Sequence, residues 1–407
     1  MAKPLRKGYT TGTYASAVAK AAAIFLLDKK VPNKVSVPLG DGREAEFAPV
    51  PAQPPKGEGG LSWWGIQKDA GDDPDVTNGV WLYGAVFPLS DSQWEKLCRD
   101  GKGYRAEGPF PLYLDGGQGV GIVSKPGLSC PVGHYAINPV PRAMIFQAVE
   151  SVGRQAGYGG KLGIRIAVPE GEKLAEKTFN PRLGIEGGIS ILGTTGVVEP
   201  MSEEALVETI RLDIRMKAAE GKPVLVMAPG NYGERFLREA MGVPLGEAVT
   251  CSNFIARSVE IAVEEGWKKL FLAGHVGKLA KVAAGAKNTH SRFGDGRMEE
   301  MGIWVRDVLA GKGQALPGFF AGAVQKARQL EAQVRGSNTT EEAVGYLKMA
   351  HLAEPVLCHG AEKVKRQIIR WAGGRLDAEV AMFSSVHQIA GKTRHVEQFL
   401  YLWRGKP

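Results

Sequence analysis

The chain has 407 residues, which is too long for one simple hydrophobic core and predicts about two or three domains. Its 44% apolar and 23% charged residues are typical of a globular protein, and it has neither a signal-peptide pattern nor an apolar run of membrane length, so we expect a cytoplasmic protein without a membrane partner. The formal net charge of +8 favours acidic ligands, but the basic residues are scattered, so no nucleic-acid partner is expected.

The cysteines are widely spaced and form no C-x-x-C pair. This spacing argues against a structural zinc site and against a disulfide framework. We therefore expect free thiols in a reducing compartment and no metal site made by the protein. The cysteines are Cys98, Cys130, Cys251 and Cys358.

The N-terminal part of the chain predicts helices mixed with a hairpin. A glycine- and threonine-rich motif at residues 8–13 precedes an alanine-rich helix over residues 15–27. Residues 33–50 have the pattern of a β-hairpin. Residues 138–142, with two prolines, begin a helix that extends to Gln155.

Strands surround a second glycine motif, at residues 117–121. This motif resembles half of a dinucleotide-binding fingerprint, which requires a helix directly after it, whereas residues 122–127 have the pattern of a strand and a turn. A Rossmann dinucleotide site is therefore not expected here. The alternation of Leu162, Ile164 and Ile166 predicts a half-buried strand further along.

Residues 180–201 are the stretch least explicable as ordinary packing. Glycines flank a short apolar run at residues 189–192, which we predict to be a buried strand. Ser202, followed by two glutamates, predicts the N-cap of the next helix. A strand, a glycine loop and a helix in this order direct free backbone N–H groups at an anion or a polar ligand. A tight turn that binds nothing is the alternative.

From residue 224 the pattern changes to repeated strands, loops and helices. Buried strands at residues 224–228 and 270–273 are each followed by a glycine-containing loop and a helix, which predicts a parallel sheet. Ligands of such sheets lie at the carboxyl ends of the strands. Residues 298–374 have a helical pattern, and residues 378–383 are predicted to be the last strand.

These patterns predict a two-domain protein of mixed α+β and α/β class. Residues 1–200 are expected to form an α+β domain with glycine and threonine ligand loops. Residues 201–300 are expected to form a three-layer α/β domain with a mainly parallel sheet, and residues 301–407 a mainly helical region that completes the fold.

The sequence has no signature of a common hydrolase and no phosphate-binding P-loop. Its histidines are dispersed, and His275 and His290 stand out because they lie in glycine-rich or polar loops. Each is a candidate for moving a proton, although a histidine in such a loop can also be a structural hydrogen-bonding group. The many loops of Asn, Thr and Gly suit a large polar ligand better than a single nucleophile.

The polar and glycine-rich motifs occur in a characteristic order. They are Gly8-Tyr9-Thr10-Thr11-Gly12-Thr13, Asp75-Val76-Thr77-Asn78-Gly79, Asn138-Pro139-Val140-Pro141-Arg142, residues 180–201, Gly230-Asn231-Tyr232-Gly233, Cys251-Ser252-Asn253, Gly274-His275-Val276-Gly277-Lys278 and Asn288-Thr289-His290-Ser291. Together they resemble the CbiD family, the cobalt-precorrin-5B (C-1)-methyltransferases of the anaerobic cobalamin pathway. Residues 193–201 are the most specific part of the resemblance, and the helical C-terminus is the least distinctive.

The resemblance implies transfer of a methyl group from S-adenosylmethionine to ring carbon 1 of cobalt-precorrin-5B, which gives cobalt-precorrin-6A. It implies that cobalt is part of the substrate, a tetrapyrrole with many carboxylates that suits the basic charge of the chain. Contact with other enzymes of the pathway is a further expectation. Tyr14 stands where family members often have cysteine, so no thiol chemistry is expected at that position.

An in-line displacement from a sulfonium depends mainly on alignment of the reactants, so the polar loops are expected to hold both ligands. The predicted catalytic residues are His275 and His290. The predicted cosubstrate-binding residues are Thr10, Thr11, Gly12, Thr13, Gly193, Thr194, Thr195, Gly196, Asn231, Gly233, Ser252 and Asn253. The predicted substrate-binding residues are Asn78, Lys125, Asn138, Arg142, Asn180, Arg182, Glu199, Lys278, Asn288, Thr289, Ser291 and Arg292.

Two other functions compete with methyl transfer. A kinase or ligase would use residues 8–13 and 193–196 as phosphate-binding loops and would prefer ATP with magnesium. A tetrapyrrole carrier without catalysis would bind the macrocycle and consume no cosubstrate, and it would not need so many separate polar loops.

Overall fold

A computed structural model describes residues 5–40, 42–312 and 323–405 of the chain. The chain separates into two compact units, Met1–Glu203 (unit 1) and Glu204–Pro407 (unit 2). Within the described ranges, no helix combines the length and the apolar character needed to cross a bilayer.

Unit 1 is a mixed α+β structure. Its strands are β1 (Gly8–Tyr9), β2 (Val35–Pro38), β3 (Glu44–Phe47), β4 (Val50–Ala52), β5 (Trp63–Gln67), β6 (Trp81–Leu89), β7 (Tyr104–Ala106), β8 (Leu112–Gly116), β9 (Ile122–Val123), β10 (Lys161–Ala167), β11 (Ile185–Glu186) and β12 (Val197–Val198). Its helices are α1 (Thr11–Asp28), α2 (Asp91–Asp100), α3 (Pro139–Gln155) and α4 (Gly171–Ala175).

A six-stranded sheet in the order β4-β5-β6-β10-β8-β7 is the centre of unit 1. The interior strand β10 pairs with β6 in antiparallel and with β8 in parallel orientation. Its alternating residues Leu162, Ile164 and Ile166 are fully buried, as the sequence pattern predicts, because they join the core formed with α1 and α3. The predicted hairpin is the antiparallel pair β2 and β3.

Helix α1 packs on both α3 and β6. Its alanines allow this close packing, and most of its first turns are buried. A Cβ added at Gly84 of β6 would lie 2.7 Å from a methyl carbon of Val18, so the helix and the strand approach each other closely only because residue 84 has no side chain. This packing fixes the start of α1 against the rest of unit 1.

Unit 2 has a five-stranded sheet. Its strands are β13 (Leu225–Ala228), β14 (Val249–Thr250), β15 (Lys269–His275), β16 (Asp377–Phe383) and β17 (Ala390–Lys392). Their order is β14-β13-β15-β16-β17; the first four strands are parallel, and β17 is antiparallel to β16.

Helices cover both faces of this sheet. They are α5 (Glu203–Ala219), α6 (Asn231–Met241), α7 (Ile255–Glu264), α8 (Val276–Ala283), α9 (Arg297–Leu309), α10 (Ala323–Arg335), α11 (Thr340–Met349), α12 (Ala353–Trp371) and α13 (Val396–Trp403), together with a short 3₁₀ helix at Ser291–Phe293. Leu225 and Met227 of β13 belong to one core, whereas Val226 and Ala228 belong to another that includes residues of α6 and α13. Successive residues of one strand thus face opposite layers, and the predicted α+β and α/β fold class is confirmed.

Some predicted elements differ from the structure. Residues 189–192 form isolated bridges at Ile189 and Ile191 in place of a regular strand, and Leu192, which follows the second bridge, is 48% exposed. Helix α1 begins at Thr11, so the second half of the first motif is helical. The strand predicted to be the last is followed by β17 and α13, whose short apolar segments gave little periodic signal.

Candidate active site

The two glycine- and threonine-rich motifs of unit 1 lie against each other. Strand β1 pairs with β12, which brings residues 8–13 beside residues 192–198. The Thr11 hydroxyl donates to the Leu192 carbonyl (3.1 Å) and accepts from the Leu192 N–H (3.0 Å). The Thr13 hydroxyl donates to the Gly196 carbonyl at 2.7 Å. The hydroxyls of the first motif therefore hold the second motif in place.

Glycine at position 193 is required by this packing. Gly193 has a φ of +133°, and a Cβ there would lie 2.2 Å from the Thr10 hydroxyl oxygen. Thr10 is the N-cap of α1 and accepts from the Thr13 N–H. Gly12 is equally confined, because a Cβ there would lie 2.7 Å from a ring carbon of Pro141. The side chains of Thr10 and its neighbours are buried, and in this pair of loops Thr194 and Thr195 are the threonines exposed to solvent.

Several other predicted site residues of unit 1 take part in local contacts. The Asn78 side-chain oxygen accepts from the Ala70 N–H at 2.9 Å, and the buried Asn180 accepts from the Ser190 hydroxyl at 3.4 Å. Asn138 is the N-cap residue of α3, and its side chain accepts a weak bond from the Cys130 thiol rather than capping the helix.

The remaining charged candidates of unit 1 lie at its surface or are half-buried. Lys125 packs against Gly184, and Glu199 forms an exposed ion pair with Lys7. The Arg182 guanidinium lies over the Phe179 ring at 5.9 Å. Arg142 lines a cavity of about 580 Å³.

In unit 2 the predicted loops meet at the carboxyl edge of the parallel sheet. The chain runs from β13 to β14 on one side and then crosses to β15 on the other side of β13. The loops that follow β13 and β15 therefore diverge at a topological switch point, where open α/β sheets bind their ligands. Gly230 lies in the loop after β13, Lys278 lies in the first turn of α8 directly after β15, and Ser252 lies in the loop after β14.

The loop after β13 has a backbone that only glycine adopts readily. Gly230 has φ 135° and ψ −177°, and nothing lies within 4 Å of the position of its missing Cβ. Gly233, one turn into α6, is confined instead: a Cβ there would lie 2.9 Å from Ala228 Cβ and 3.0 Å from the Ala273 carbonyl oxygen. Gly233 thus allows helix α6 to approach the sheet, while Gly230 and the adjacent Asn231 leave open space at the helix start.

Lys278 connects two of these loops. Its ammonium donates to the Pro229 carbonyl at 2.7 Å and to the Ser252 carbonyl at 3.4 Å. Burial lowers the pKa of Lys278, and burial raises the pKa of the adjacent Cys251 thiol to about 12. Ser252 itself has a φ of +51°, an uncommon conformation for a non-glycine residue. Lys278 therefore fixes the loop geometry, and Cys251 is a protonated thiol at neutral pH.

His275 is bound at both ring nitrogens. Its Nδ1 accepts from the Gly277 N–H at 3.1 Å, so the neutral ring carries its proton on Nε2, which lies 2.5 Å from Glu341 Oε1. The Ser384 hydroxyl donates to the other oxygen of Glu341. Burial raises the pKa of Glu341, but the hydrogen bonds from Ser384 and His275 outweigh it and hold this pKa below the usual value.

The polar motif at residues 288–291 joins the loop after β14. The Thr289 N–H and hydroxyl donate to the backbone and side-chain oxygens of Asn253, at 3.0 and 3.2 Å. Asn288 accepts from the His290 N–H at 2.9 Å. His290 is exposed, and its Nδ1 accepts from the Arg292 N–H, so the N–H of its neutral ring is on Nε2. Ser291 and Arg292 form the exposed 3₁₀ turn that follows.

Sequence reasoning did not find Glu341 and Ser384. Ser384 follows β16 directly, and its position would have been visible had β16 been recognised as a member of the parallel sheet. Glu341 lies in the first turn of α11, a surface-like pattern that carries no signal for contact with a histidine far away in sequence. The buried ion pair of Lys68 and Asp75 was also missed, because each of these residues reads as a solvated charge.

Sequence similarity to known proteins extends over nearly the whole chain. The CbiD family model matches residues 1–200, and the model of the CbiD C-terminal domain matches residues 319–394. The cobalt-precorrin-5B C(1)-methyltransferase of Ruminiclostridium cellulolyticum is 37% identical over 388 residues, which cover 95% of this chain and 91% of that protein. The protein of the same name from Thermoanaerobacter sp. is 40% identical over 393 residues, 96% of each chain.

A crystal structure of the cobalamin biosynthesis protein (cbiD) from Archaeoglobus fulgidus is also similar. It is 27% identical in sequence and covers 73% of this chain and 84% of that chain, with a TM-score of 0.37. A score of 0.37 is too low to support a comparison of geometry. The family assignment depends instead on the full-length sequence identities, and by these the chain belongs to the CbiD family.

Proposed function

We propose that this chain methylates ring carbon 1 of cobalt-precorrin-5B and thereby forms cobalt-precorrin-6A in the anaerobic route to cobalamin. The observation that carries this proposal is the sequence identity of 37 to 40%, over nearly the full length, to proteins that bear this activity as their name. The chain is thus a methyltransferase, and cobalt enters its chemistry as part of the substrate.

We assign the methyl donor as S-adenosylmethionine and its site as the carboxyl edge of the sheet in unit 2. The switch point between β13 and β15 supports this site, as does the open backbone at Gly230. Asn231 follows at the start of α6, and Ser252 and Asn253 come from the adjacent loop. Unit 1, taken by itself, offers the exposed Thr194 and Thr195 for contact with a ligand, whereas the buried Thr10, Thr11 and Thr13 shape the loop that carries them.

The transfer itself depends on alignment. A sulfonium is a good leaving group and the ring carbon is electron-rich, so holding the two in line supplies up to about 7–11 kcal/mol of the barrier reduction. Lys278 contributes by tying the loops after β13 and β14 together. The charged candidates Arg142, Lys125, Arg182 and Arg292 are proposed to bind carboxylates of the macrocycle.

The two histidines differ in their capacity to move a proton. His275 has its Nδ1 bound to a backbone N–H and its Nε2 bound to Glu341, so it must exchange one of these partners before it can reach a substrate proton. His290 is exposed to solvent. Its Nδ1 accepts the Arg292 N–H, so the proton of the neutral ring is on Nε2, at the side of the ring away from this bond. We therefore propose His290 as the direct proton-transfer group and His275 as a residue that acts together with Glu341.

The function is tested by anaerobic incubation with methyl-labelled S-adenosylmethionine and cobalt-precorrin-5B, followed by mass spectrometry of the macrocycle. We expect a gain of one labelled methyl group and an equal amount of S-adenosylhomocysteine. Macrocycle binding without methyl gain would favour the carrier alternative. Preferential binding of ATP with magnesium over S-adenosylmethionine would favour the kinase or ligase alternative.

A further inference from the structure

Unit 1 contains a cavity of about 580 Å³ between the end of helix α2, strands β7 and β8, and the start of helix α3. Its lining includes the aromatic rings of Tyr104, Tyr113 and Phe146. The cationic or basic side chains in the lining are Arg105, Arg142 and His134. None of the described residues that line the cavity is acidic, so its charge is positive.

Arg142 occupies an electrostatically unfavourable position in α3. It lies in the first turns of a helix of 17 residues, where the positive end of the helix dipole disfavours a cation. The nearby Asn138 does not offset this, because its side chain makes no capping hydrogen bond. A cation held at this end of a helix is stabilised by an anion, and the described part of the chain places no carboxylate in the cavity.

The Arg142 side chain is nevertheless held in one place. Its guanidinium carbon lies 3.9 Å from the centroid of the Tyr104 ring. Its Nε is enclosed and has no hydrogen-bond partner among the described residues. This enclosure closes Nε to a ligand, so the two terminal nitrogens of the guanidinium are the donors that a bound anion would meet.

The Tyr104 ring, against which the Arg142 guanidinium stacks, is itself fixed. The Tyr104 hydroxyl donates to the Tyr135 carbonyl at 2.7 Å, so the ring cannot rotate away without losing this bond. The His134 ring lies 5.5 Å from the Tyr104 ring, and its Nδ1 is 3.2 Å from the Gly103 carbonyl. The guanidinium is therefore presented to the cavity on a rigid surface, as in sites that bind a planar carboxylate through two parallel hydrogen bonds.

We propose that this cavity is a carboxylate-binding subsite, in which Arg142 pairs with one carboxylate side chain of a tetrapyrrole macrocycle. The pairing uses the terminal nitrogens of the guanidinium and neutralises the cation at the start of α3. The volume is that of a pocket for one arm and one edge of a large ligand. The identity of the macrocycle rests on the proposed function, whereas the preference for a carboxylate rests on the cavity alone.

The experiment measures binding of two stable corrinoids by fluorescence titration: cobyrinic acid, which has free carboxylates, and its methyl ester. The full-length native protein is compared with Arg142→Gln, Arg142→Lys and Arg154→Gln. Arg154 is the matched control, since it lies on the same helix but at the opposite end, where it pairs with Glu150. Thermal unfolding of each variant shows whether it is folded.

We expect Arg142→Gln to weaken binding of cobyrinic acid at least tenfold, as for loss of a charge-assisted hydrogen bond of about 1.4 kcal/mol or more. Arg142→Lys keeps the charge but not the fork or the stacking, so an intermediate loss is expected. Arg154→Gln should bind like the native protein, and the methyl ester should bind native protein and Arg142→Gln equally.

An unchanged affinity of Arg142→Gln for cobyrinic acid would overturn the subsite, and so would an equal loss of affinity for the acid and the ester. If Arg142→Gln does not fold, the comparison of Arg142→Lys with Arg154→Gln decides in the same way. Methyl transfer is measured in parallel. If binding depends on Arg142 but the native protein transfers no methyl group, the proposed function is wrong and the subsite stands.

If the native protein transfers the methyl group and Arg142→Gln has an unchanged KM for the macrocycle, the proposed function stands and the subsite is wrong.

Discussion

The glycine loops of unit 1 and unit 2 look alike in sequence but owe their glycines to different causes. At Gly193 in unit 1, a Cβ would lie 2.2 Å from the Thr10 hydroxyl, so the glycine serves packing. At Gly230 in unit 2, a Cβ would meet nothing within 4 Å, and the glycine serves the backbone conformation alone. A confined glycine thus marks a structural joint, and an open glycine with an unusual backbone marks a surface that a ligand can approach.

The largest effect is expected at the confined glycine. Gly193→Ala should destabilise unit 1 by about 3 kcal/mol or more, since overpacking adds to the strain of a positive φ. Gly187→Ala is the matched control in the same stretch: it also has a positive φ, of 74°, but nothing lies within 4 Å of its Cβ position. We expect it to cost about 1 kcal/mol. Calorimetry measures both, and equal effects would contradict the distinction between confined and open glycines.

A similar loss is expected for the buried ion pair of unit 1. The Lys68 side chain is 1% exposed and donates to Asp75 at 2.6 Å. Asp75→Asn leaves the ammonium buried without its anion, so a loss of about 3 kcal/mol is expected in denaturant unfolding at pH 7. Asp91→Asn, which breaks an exposed pair with Lys161, is the control and should leave stability unchanged within error.

The pH dependence of the Asp75 variant follows from its carboxyl group. Burial raises the pKa of Asp75, but the charge and hydrogen bond of Lys68 and the bonds from Thr77 hold this pKa below the usual value. The pair therefore stabilises the fold above the unfolded pKa of about 3.9, and this contribution is lost as the pH falls through the lower folded pKa. The difference between native protein and Asp75→Asn should shrink on acidification; a constant difference down to pH 2 would contradict this.

The open glycine of unit 2 should affect binding more than stability. Gly230→Ala strains the loop after β13 and moves its N–H groups, so we expect the affinity for S-adenosylmethionine to fall about tenfold in calorimetric titration. Gly246→Ala is the control in the same unit, with φ 83° and an equally open Cβ position. Equal affinities of the two variants would remove the cosubstrate site from the switch point.

The smallest effect is expected at the pair of His275 and Glu341. Glu341→Gln replaces a charged acceptor of two side-chain donors, so unit 2 should lose about 1 kcal/mol at pH 7. Because the folded pKa of Glu341 is lowered, this loss should begin to shrink near the unfolded value of about 4.3 and should disappear as the pH falls through the lower folded value. Glu397→Gln, in an exposed pair with Lys392, is the control. A loss that stays constant from pH 7 down to pH 2 would show that the carboxylate charge is not its cause.

Local patterns in the sequence predicted the elements whose causes are local. The alternation of Leu162, Ile164 and Ile166 predicts β10, and the repeated strand, loop and helix predict the sheet of unit 2. Contacts between distant residues could not be predicted, because they depend on how elements pack. His275 and Glu341 are 66 residues apart in the sequence, and no periodicity in either segment predicts the hydrogen bond between them.

The sequence predicts which motifs belong to the candidate site, but it does not predict what each residue of a motif does. The sequence singled out Thr10 and its neighbours, whereas only the structure distinguishes hydroxyls that bind backbone from those that face solvent. Arg142 was singled out by its motif, but the cavity and the enclosed Nε depend on Tyr104, a residue that nothing in the sequence connects with it. The roles assigned to individual residues stay predictions, as does the division of the chain at residues 200 and 300.

The pairing of β1 with β12 has a consequence for protein synthesis. Gly8 pairs with Val198, so the first strand of unit 1 cannot form its pairing until nearly the whole unit has been translated. Until then the buried threonines at the start of α1 lack the carbonyls of residues 192 and 196 that they bind. Contacts this distant in sequence close late. Unit 1 should therefore acquire resistance to protease on the ribosome in one step, once residue 198 has emerged, rather than gradually as its strands appear.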